Sequence, residues 1–133
     1  IGKGMMLNEG TDVTIVATGH LVWKAIEAGK ALEAKGISAE IINIHTIKPL
    51  DEEIILNSVM KTKCVVTAEE HQIAGGLGES VSSLLCRTIP TPQEFVAVDD
   101  TFGESGTPEE LMIKYGLDSD DIFSAVNAVL KRK

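Results

Sequence analysis

One stretch of this chain, AEEHQIAGGLGES at residues 68–80, combines residue types that could do chemistry. Two carboxylates and an imidazole precede three glycines: Glu69, Glu70, His71, Gly75, Gly76 and Gly78. A histidine or a carboxylate at the end of a strand can act as a general acid or base. Glycines ahead of a helix can leave backbone N–H groups open to an anion. The stretch therefore raises two hypotheses, direct catalysis by His71 and a phosphate-binding turn.

The residue pattern leaves simpler explanations open for both hypotheses. The dinucleotide pattern GxGxxG fails because residue 81 is Val, and no Gly-Lys-Ser/Thr follows as a P-loop would require. The glycines could instead supply positive φ angles and close helix–strand packing. His71 could equally hold the loop in place or contact a neighbouring subunit. A metal site is disfavoured, because His20, His45 and His71 lie in three separate segments without HxxxH spacing.

The apolar pattern predicts an α/β fold that would position these residues. Strands are expected at residues 13–18, 39–44, 64–68 and 95–98, and helices at 20–35, 51–60, 78–87, 107–115 and 119–131. Such alternation predicts a three-layer α/β/α sandwich with a mostly parallel sheet. Thr18-Gly19-His20 would then share the carboxyl edge of the sheet with the stretch at 68–80. We interpret it as a plain strand-to-helix turn in which Thr18 or Gly19 could cap the following helix, with an anion site as the alternative.

Length and charge narrow the class of protein further. The chain has 133 residues, enough for one domain, and its net charge of -8 disfavours binding to nucleic acid or anionic membranes. Cys64 and Cys86 are expected to be buried, reduced thiols, as is usual in cytosolic proteins. Residues 1–11 are rich in glycine and polar residues, so we assign them to a residual inter-domain linker of a longer polypeptide. Residues 12–133 would form the domain itself.

Three motifs, in this order, resemble the C-terminal domain of transketolase. They are NIHTIKPLDEEIIL at 43–56, VVTAEEHQIAGGLGESVSSLL at 65–85 and ESGTPEELMIKYGLDSDDIFSAV at 104–126. The strand–helix–strand unit at 13–44 is similar as well, so the resemblance covers the chain from about residue 12. TIKPLD is shared with related thiamine diphosphate enzymes. The combination of EEH, GGLGE and SGTPEEL is closer to transketolase.

The resemblance implies that the domains of the parent enzyme have different functions. A transketolase transfers a two-carbon ketol unit from a ketose phosphate to an aldose phosphate. Thiamine diphosphate and Mg²⁺ would be held by its N-terminal diphosphate-binding and pyrimidine-binding domains, in the same chain or in a separate subunit. The domain seen here would support a cytoplasmic homodimer of the pentose phosphate pathway and be inactive alone. The Gly-Asp-Gly segment that binds the diphosphate is absent, so no catalytic, cofactor or metal residue is carried over.

The turn residues are accordingly interpreted as a loop or interface site: Glu70, His71, Gly75, Gly76 and Gly78. His71 is the one candidate kept for catalysis. Two alternative functions remain open at this stage. One is the C-terminal domain of deoxyxylulose-phosphate synthase or of a 2-oxo acid dehydrogenase β chain. The other is a stand-alone regulatory module that binds a ligand. Sugar-phosphate specificity is not encoded in any of these motifs.

Overall fold

In a computed structural model of the protein, residues 2–72, 75–98, 110, 113 and 116–133 are described, the side chains of residues 71 and 72 excepted. Within these residues, five strands and four helices follow one another along the chain. They are β1 Met5–Asn8, β2 Val13–Ala17, α1 Leu21–Glu33, β3 Ala39–Asn43, α2 Glu52–Thr62, β4 Val65–Gln72, α3 Leu77–Arg87, β5 Gln93–Val98 and α4 Ser119–Leu130. The predicted helix at 107–115 lies mostly outside the described residues.

The strands form one sheet in the order β1-β3-β2-β4-β5. The four predicted strands, β2 to β5, are parallel to their neighbours, whereas β1 pairs antiparallel with β3. Residues 5–8, which we assigned to the linker, are therefore an edge strand of the sheet. Their side chains are largely exposed and show no alternation, so the pairing with β3 has no signature in the local sequence. The division of the chain at residue 11 stays a prediction.

Helices cover both faces of the sheet, which confirms the three-layer α/β/α sandwich. Helices α1 and α4 pack on one face through a core that includes Ile15, Leu32 and Ile122. Helices α2 and α3 pack on the other face through a second core that includes Ile42 and Leu84. All five residues of β2 are buried, because the strand lies between β3 and β4 and beneath helices on both sides. This position explains its nearly continuous apolar sequence.

Local signals place the ends of the predicted helices well. The Asp51 carboxylate accepts a hydrogen bond from the backbone N–H of Ile54 at 3.4 Å and so caps α2. Gly36, with φ at +79°, follows the last turn of α1 in a conformation that favours glycine. No helix in the described part of the chain is both long enough and apolar enough to cross a membrane.

Two of our expectations are wrong in detail. Strand β4 continues to Gln72 rather than ending at residue 68, because its last residue pairs with Val98 of β5 after an irregularity in the register.

The second expectation concerns the two cysteines. Cys64 is buried and its burial raises the pKa of the thiol, but Cys86 is exposed. Cys86 lies outside the buried stripe of α3, which its neighbours Leu84 and Leu85 belong to.

Candidate functional site at the carboxyl edge of the sheet

The extension of β4 places the side chains of the two adjacent glutamates, Glu69 and Glu70, on opposite faces of the sheet. Successive residues of a strand point to opposite faces of the sheet, so Glu69 faces α3 while Glu70 faces α1. Glu69 has no exposed surface, whereas Glu70 is exposed. One carboxylate is therefore part of the interior, and the other lies at the surface of the same edge.

The buried Glu69 carboxylate lies at the N-terminus of α3. Its two oxygens accept hydrogen bonds from the backbone N–H groups of Leu77 and Gly78, both at 2.7 Å. These N–H groups have no partner within the helix and lie at the positive end of its dipole. They are the donors that a phosphate would use at this turn. The chain's own carboxylate already holds them, which argues against the phosphate-binding hypothesis.

The glycines of the turn have the two structural roles that we offered as the alternative. Gly75 has φ at +74°, and its N–H donates to the Glu79 carboxylate at 2.8 Å. Gly78 packs so closely on β5 that an added Cβ would lie 2.4 Å from a ring carbon of Phe95. Gly76 is the extended residue that precedes α3. Positive φ and close helix–strand contact therefore account for Gly75 and Gly78.

The exposed Glu70 joins the turn after β2 to the end of β4. Its carboxylate accepts a hydrogen bond from the backbone N–H of His20 at 3.1 Å, and the N–H of Thr18 donates to the Ala68 carbonyl at 3.1 Å. Thr18-Gly19-His20 thus lies at the predicted edge. His20, rather than Thr18 or Gly19, occupies the N-cap position of α1, and no side chain caps that helix.

The described residues do not fit a Mg²⁺–diphosphate group. No three His, Cys, Asp or Glu side chains among them come together in a way that could hold a metal ion. The N–H groups of α3 that would suit a diphosphate are bonded to Glu69. The backbone of His71 lies in β4 at this edge, but its side chain is outside the description, so its predicted role is not tested.

A cleft of about 420 Å³ opens beside the turn, between the loop after β3 and helix α3. Lys48 and Arg87 contribute positive charge to its lining, but Glu52 and Glu79 contribute an equal number of negative charges. Arg87 also lies 3.7 Å from the Glu52 carboxylate. The charged residues of the lining therefore balance, and the cleft has no net charge that would draw a phosphorylated ligand.

The sequence reasoning missed an ion pair with a buried carboxylate at the opposite edge of the sheet. Glu40 in β3 is 1% exposed, and its Oε1 accepts hydrogen bonds from Lys61 Nζ at 2.6 Å and from the Gly10 N–H at 3.0 Å. Burial raises the pKa of the carboxyl, but the bonds from Lys61, Gly10 and Ser58 outweigh it and lower the pKa below its ordinary value. A charged residue inside the apolar run AEIIN was the available signal.

The packing of Gly78 predicts a measurable cost for Gly78→Ala. The new methyl group would overlap the Phe95 ring, which is 37% exposed and would have to move away from the helix. We expect a loss of about 2 kcal/mol in the free energy of unfolding. In a Phe95→Ala background the same substitution should cost at least about 1 kcal/mol less, as a double-mutant cycle by urea unfolding would measure. Equal costs in both backgrounds would show that the ring is not the obstacle.

Fold and site together define a class of α/β domain. In this class the chain's own glutamate binds the N–H groups of the turn at the carboxyl edge of the sheet. Among known families, the chain matches the model of the transketolase C-terminal domain over residues 2–122. It belongs to that family, as the motifs at 43–56, 65–85 and 104–126 led us to expect.

Individual relatives also support membership of this family. The 6-deoxy-6-sulfo-D-fructose transketolase subunit SqwH of Clostridium sp. is 46% identical over 133 residues, which are 100% of this chain and 41% of that protein. The 1-deoxy-D-xylulose-5-phosphate synthase 1 of Geobacter sulfurreducens is 40% identical over 135 residues, covering 100% of this chain and 21% of that protein. A solved structure described as a split gene transketolase, inactive beta4 tetramer, is 48% identical with a TM-score of 0.94, over 98% of this chain and 43% of that chain. The chain therefore spans less than half the length of these relatives.

Proposed function

We propose that this chain is the C-terminal domain of a transketolase divided between two subunits. The observation that carries the proposal is the pair of higher identities, 46% and 48%, to a transketolase subunit and to a split gene transketolase. Identity to the deoxyxylulose-phosphate synthase is lower, at 40%, and the chain covers only 21% of that protein. The parent enzyme would transfer a two-carbon ketol unit from a ketose phosphate to an aldose phosphate.

Within that enzyme, this domain supports assembly rather than bond making. Thiamine diphosphate would supply the carbon nucleophile in the parent, and the other domains would hold it with Mg²⁺. The described residues of this chain offer no metal cluster, and their helix N-terminus at α3 is occupied by Glu69. Accordingly, a calorimetric titration of the chain with thiamine diphosphate and Mg²⁺ should give no heat of binding. One-site binding would refute the assignment of the cofactor to other domains.

The activity is tested by reconstitution. The full-length protein would be mixed with the complementary subunit that carries the diphosphate-binding domain, together with the cofactor, Mg²⁺, a ketose phosphate and an aldose phosphate. Transfer of the two-carbon unit, dependent on both subunits, is the expected result. Activity as a 1-deoxy-D-xylulose-5-phosphate synthase would favour the second candidate, which its 40% identical relative supports. If the reconstituted pair shows neither activity, both candidate functions are refuted.

The proposed interface role also makes a prediction for His71. Its backbone lies at the carboxyl edge, next in sequence to the exposed Glu70. We expect His71→Ala to weaken subunit association about tenfold or more and to leave turnover per assembled site nearly unchanged. Sedimentation equilibrium measures the first quantity, and assays above the dissociation constant measure the second. Unchanged association with a large fall in turnover would assign His71 to catalysis instead.

A further inference from the structure

We infer that Glu69 is a positioning residue that acts as a built-in anion for α3. Its carboxylate binds the backbone N–H groups of Leu77 and Gly78 and so stabilises the N-terminus of the helix. The inference has a second step, which rests on the proposed function: by stabilising this turn, Glu69 shapes a surface used in subunit assembly. Neither the resemblance nor the comparisons with relatives assigns any role to this glutamate.

The contacts of Glu69 are those of a bound monocarboxylate. Each oxygen takes one N–H, from Leu77 and from Gly78, at the same distance of 2.7 Å, and none of the side chain is exposed. An ionised carboxylate accepts such paired N–H groups as charge-assisted hydrogen bonds. Water could satisfy the donors one at a time, but it carries no negative charge to oppose the dipole of an 11-residue helix.

The surroundings of the carboxylate are held by contacts that do not involve Glu69. The Gln93 side-chain amide donates to the Gly78 carbonyl at 2.9 Å and to the Thr67 hydroxyl at 3.1 Å. On the other side of the turn, the Glu79 carboxylate accepts from the Gly75 N–H. Truncation of Glu69 should therefore leave the two N–H donors in place around a vacancy. Substitution by alanine removes Cγ and the carboxylate, which together have the size and charge of acetate.

Acetate is accordingly the probe for Glu69→Ala in the full-length protein. We expect the melting temperature of the variant to fall by at least about 5 °C, since two buried donors lose their partner. Added acetate should raise it saturably, as a ligand of the folded state does. Chloride at equal ionic strength should not raise it, and phosphate, which is larger, should not do so either. Wild type and Glu69→Gln, in which the space is filled, should not respond to acetate.

Subunit association of the same variant provides a second, separate readout. Glu69→Ala should associate at least about fivefold more weakly than wild type, and acetate should restore the affinity. Glu70→Ala, which removes a neighbouring exposed glutamate, should show no acetate response in either measurement. Restored melting temperature with association unaffected by the mutation would overturn the assembly step and the proposed interface while leaving the built-in anion in place.

The absence of an acetate-specific rise would overturn the built-in anion itself. If Glu69→Ala does not fold, hydrogen exchange on Glu69→Gln is the test, because glutamine replaces one of the two accepting oxygens with an NH2 group, which donates and cannot accept from an N–H. We then expect the amide of either Leu77 or Gly78 to exchange at least about tenfold faster than in wild type. Unchanged protection of both amides would show that the turn is held without the carboxylate.

Discussion

The Gly10→Ala variant should lose about 3 kcal/mol of its free energy of unfolding. Gly10 is buried in the turn between β1 and β2, and an added Cβ would lie 2.3 Å from the carbonyl carbon of Ala39 and 2.5 Å from the backbone N of Glu40. These are backbone atoms of β3 and cannot rotate away. The turn must therefore separate from the strand, or the strand must shift within the sheet.

That separation would break contacts that join the turn to β3 and the residues before it. The Gly10 N–H donates to the Glu40 carboxylate, the Asn8 side-chain amide donates to the Ala39 carbonyl at 2.8 Å, and the Asp12 N–H donates to the Ser38 carbonyl at 2.8 Å. Urea unfolding monitored by far-UV circular dichroism would measure the loss. A change below about 1 kcal/mol would mean that the turn moves freely, contrary to the packing described here.

Gly29→Ala is the matched control for this prediction. Its added Cβ would also be close to a neighbour, 2.8 Å from Ile41, but the atom concerned is the terminal Cδ1 of a side chain. That methyl group can turn aside, and alanine is favoured over glycine inside a helix by about 1 kcal/mol. We therefore expect Gly29→Ala to change the free energy of unfolding by less than about 1 kcal/mol.

The second large effect is expected for Lys61→Met at neutral pH. The substitution leaves the Glu40 carboxylate buried, with the Gly10 N–H and the Ser58 hydroxyl but without its cation. Breaking a fully buried ion pair costs about 3–5 kcal/mol. The Lys61 side chain is 43% exposed, so water screens the pair, and we expect a smaller loss of about 2 kcal/mol.

The same variant should reveal the ionisation of Glu40 through pH. Because the folded state lowers the pKa of Glu40, the ionised carboxylate stabilises the fold fully above about pH 4.5, the ordinary value. That contribution is lost as the pH falls through the lower folded pKa. Protonated Glu40 needs no cation, so the difference in unfolding free energy between wild type and Lys61→Met should shrink over this acidic range.

Urea unfolding of both proteins between pH 7 and pH 3 would measure this difference. Lys63→Met makes the same chemical change at an exposed position two residues further along, so it controls for the loss of one positive charge. Its difference from wild type should stay small and nearly constant with pH. A Lys61→Met difference that widens as the pH falls would contradict the assigned ionisation of Glu40.

Much of the architecture was determined by the local sequence alone. The apolar run at 13–18 predicted a strand, the pattern at 51–60 predicted a helix, and the alternation of strands and helices predicted a mostly parallel three-layer sandwich. These features follow from the period of apolar residues and from capping chemistry, which act over a few residues. The motifs at 43–56, 65–85 and 104–126 indicated the family because each of them is a continuous stretch of sequence.

The roles of individual polar residues were decided only by the tertiary structure. Gly10, Glu40 and Lys61 meet across 30 and 21 positions of sequence, so no local period reveals their contact. Glu69 and Glu70 are adjacent and chemically identical, and both could be read as turn residues. Pairing with β5 extends β4 through them, and the alternation of strand faces then directs one carboxylate to the N-terminus of α3 and the other to the turn after β2. Burial and charge compensation depend on which segments pack together, and that is a property of the folded chain.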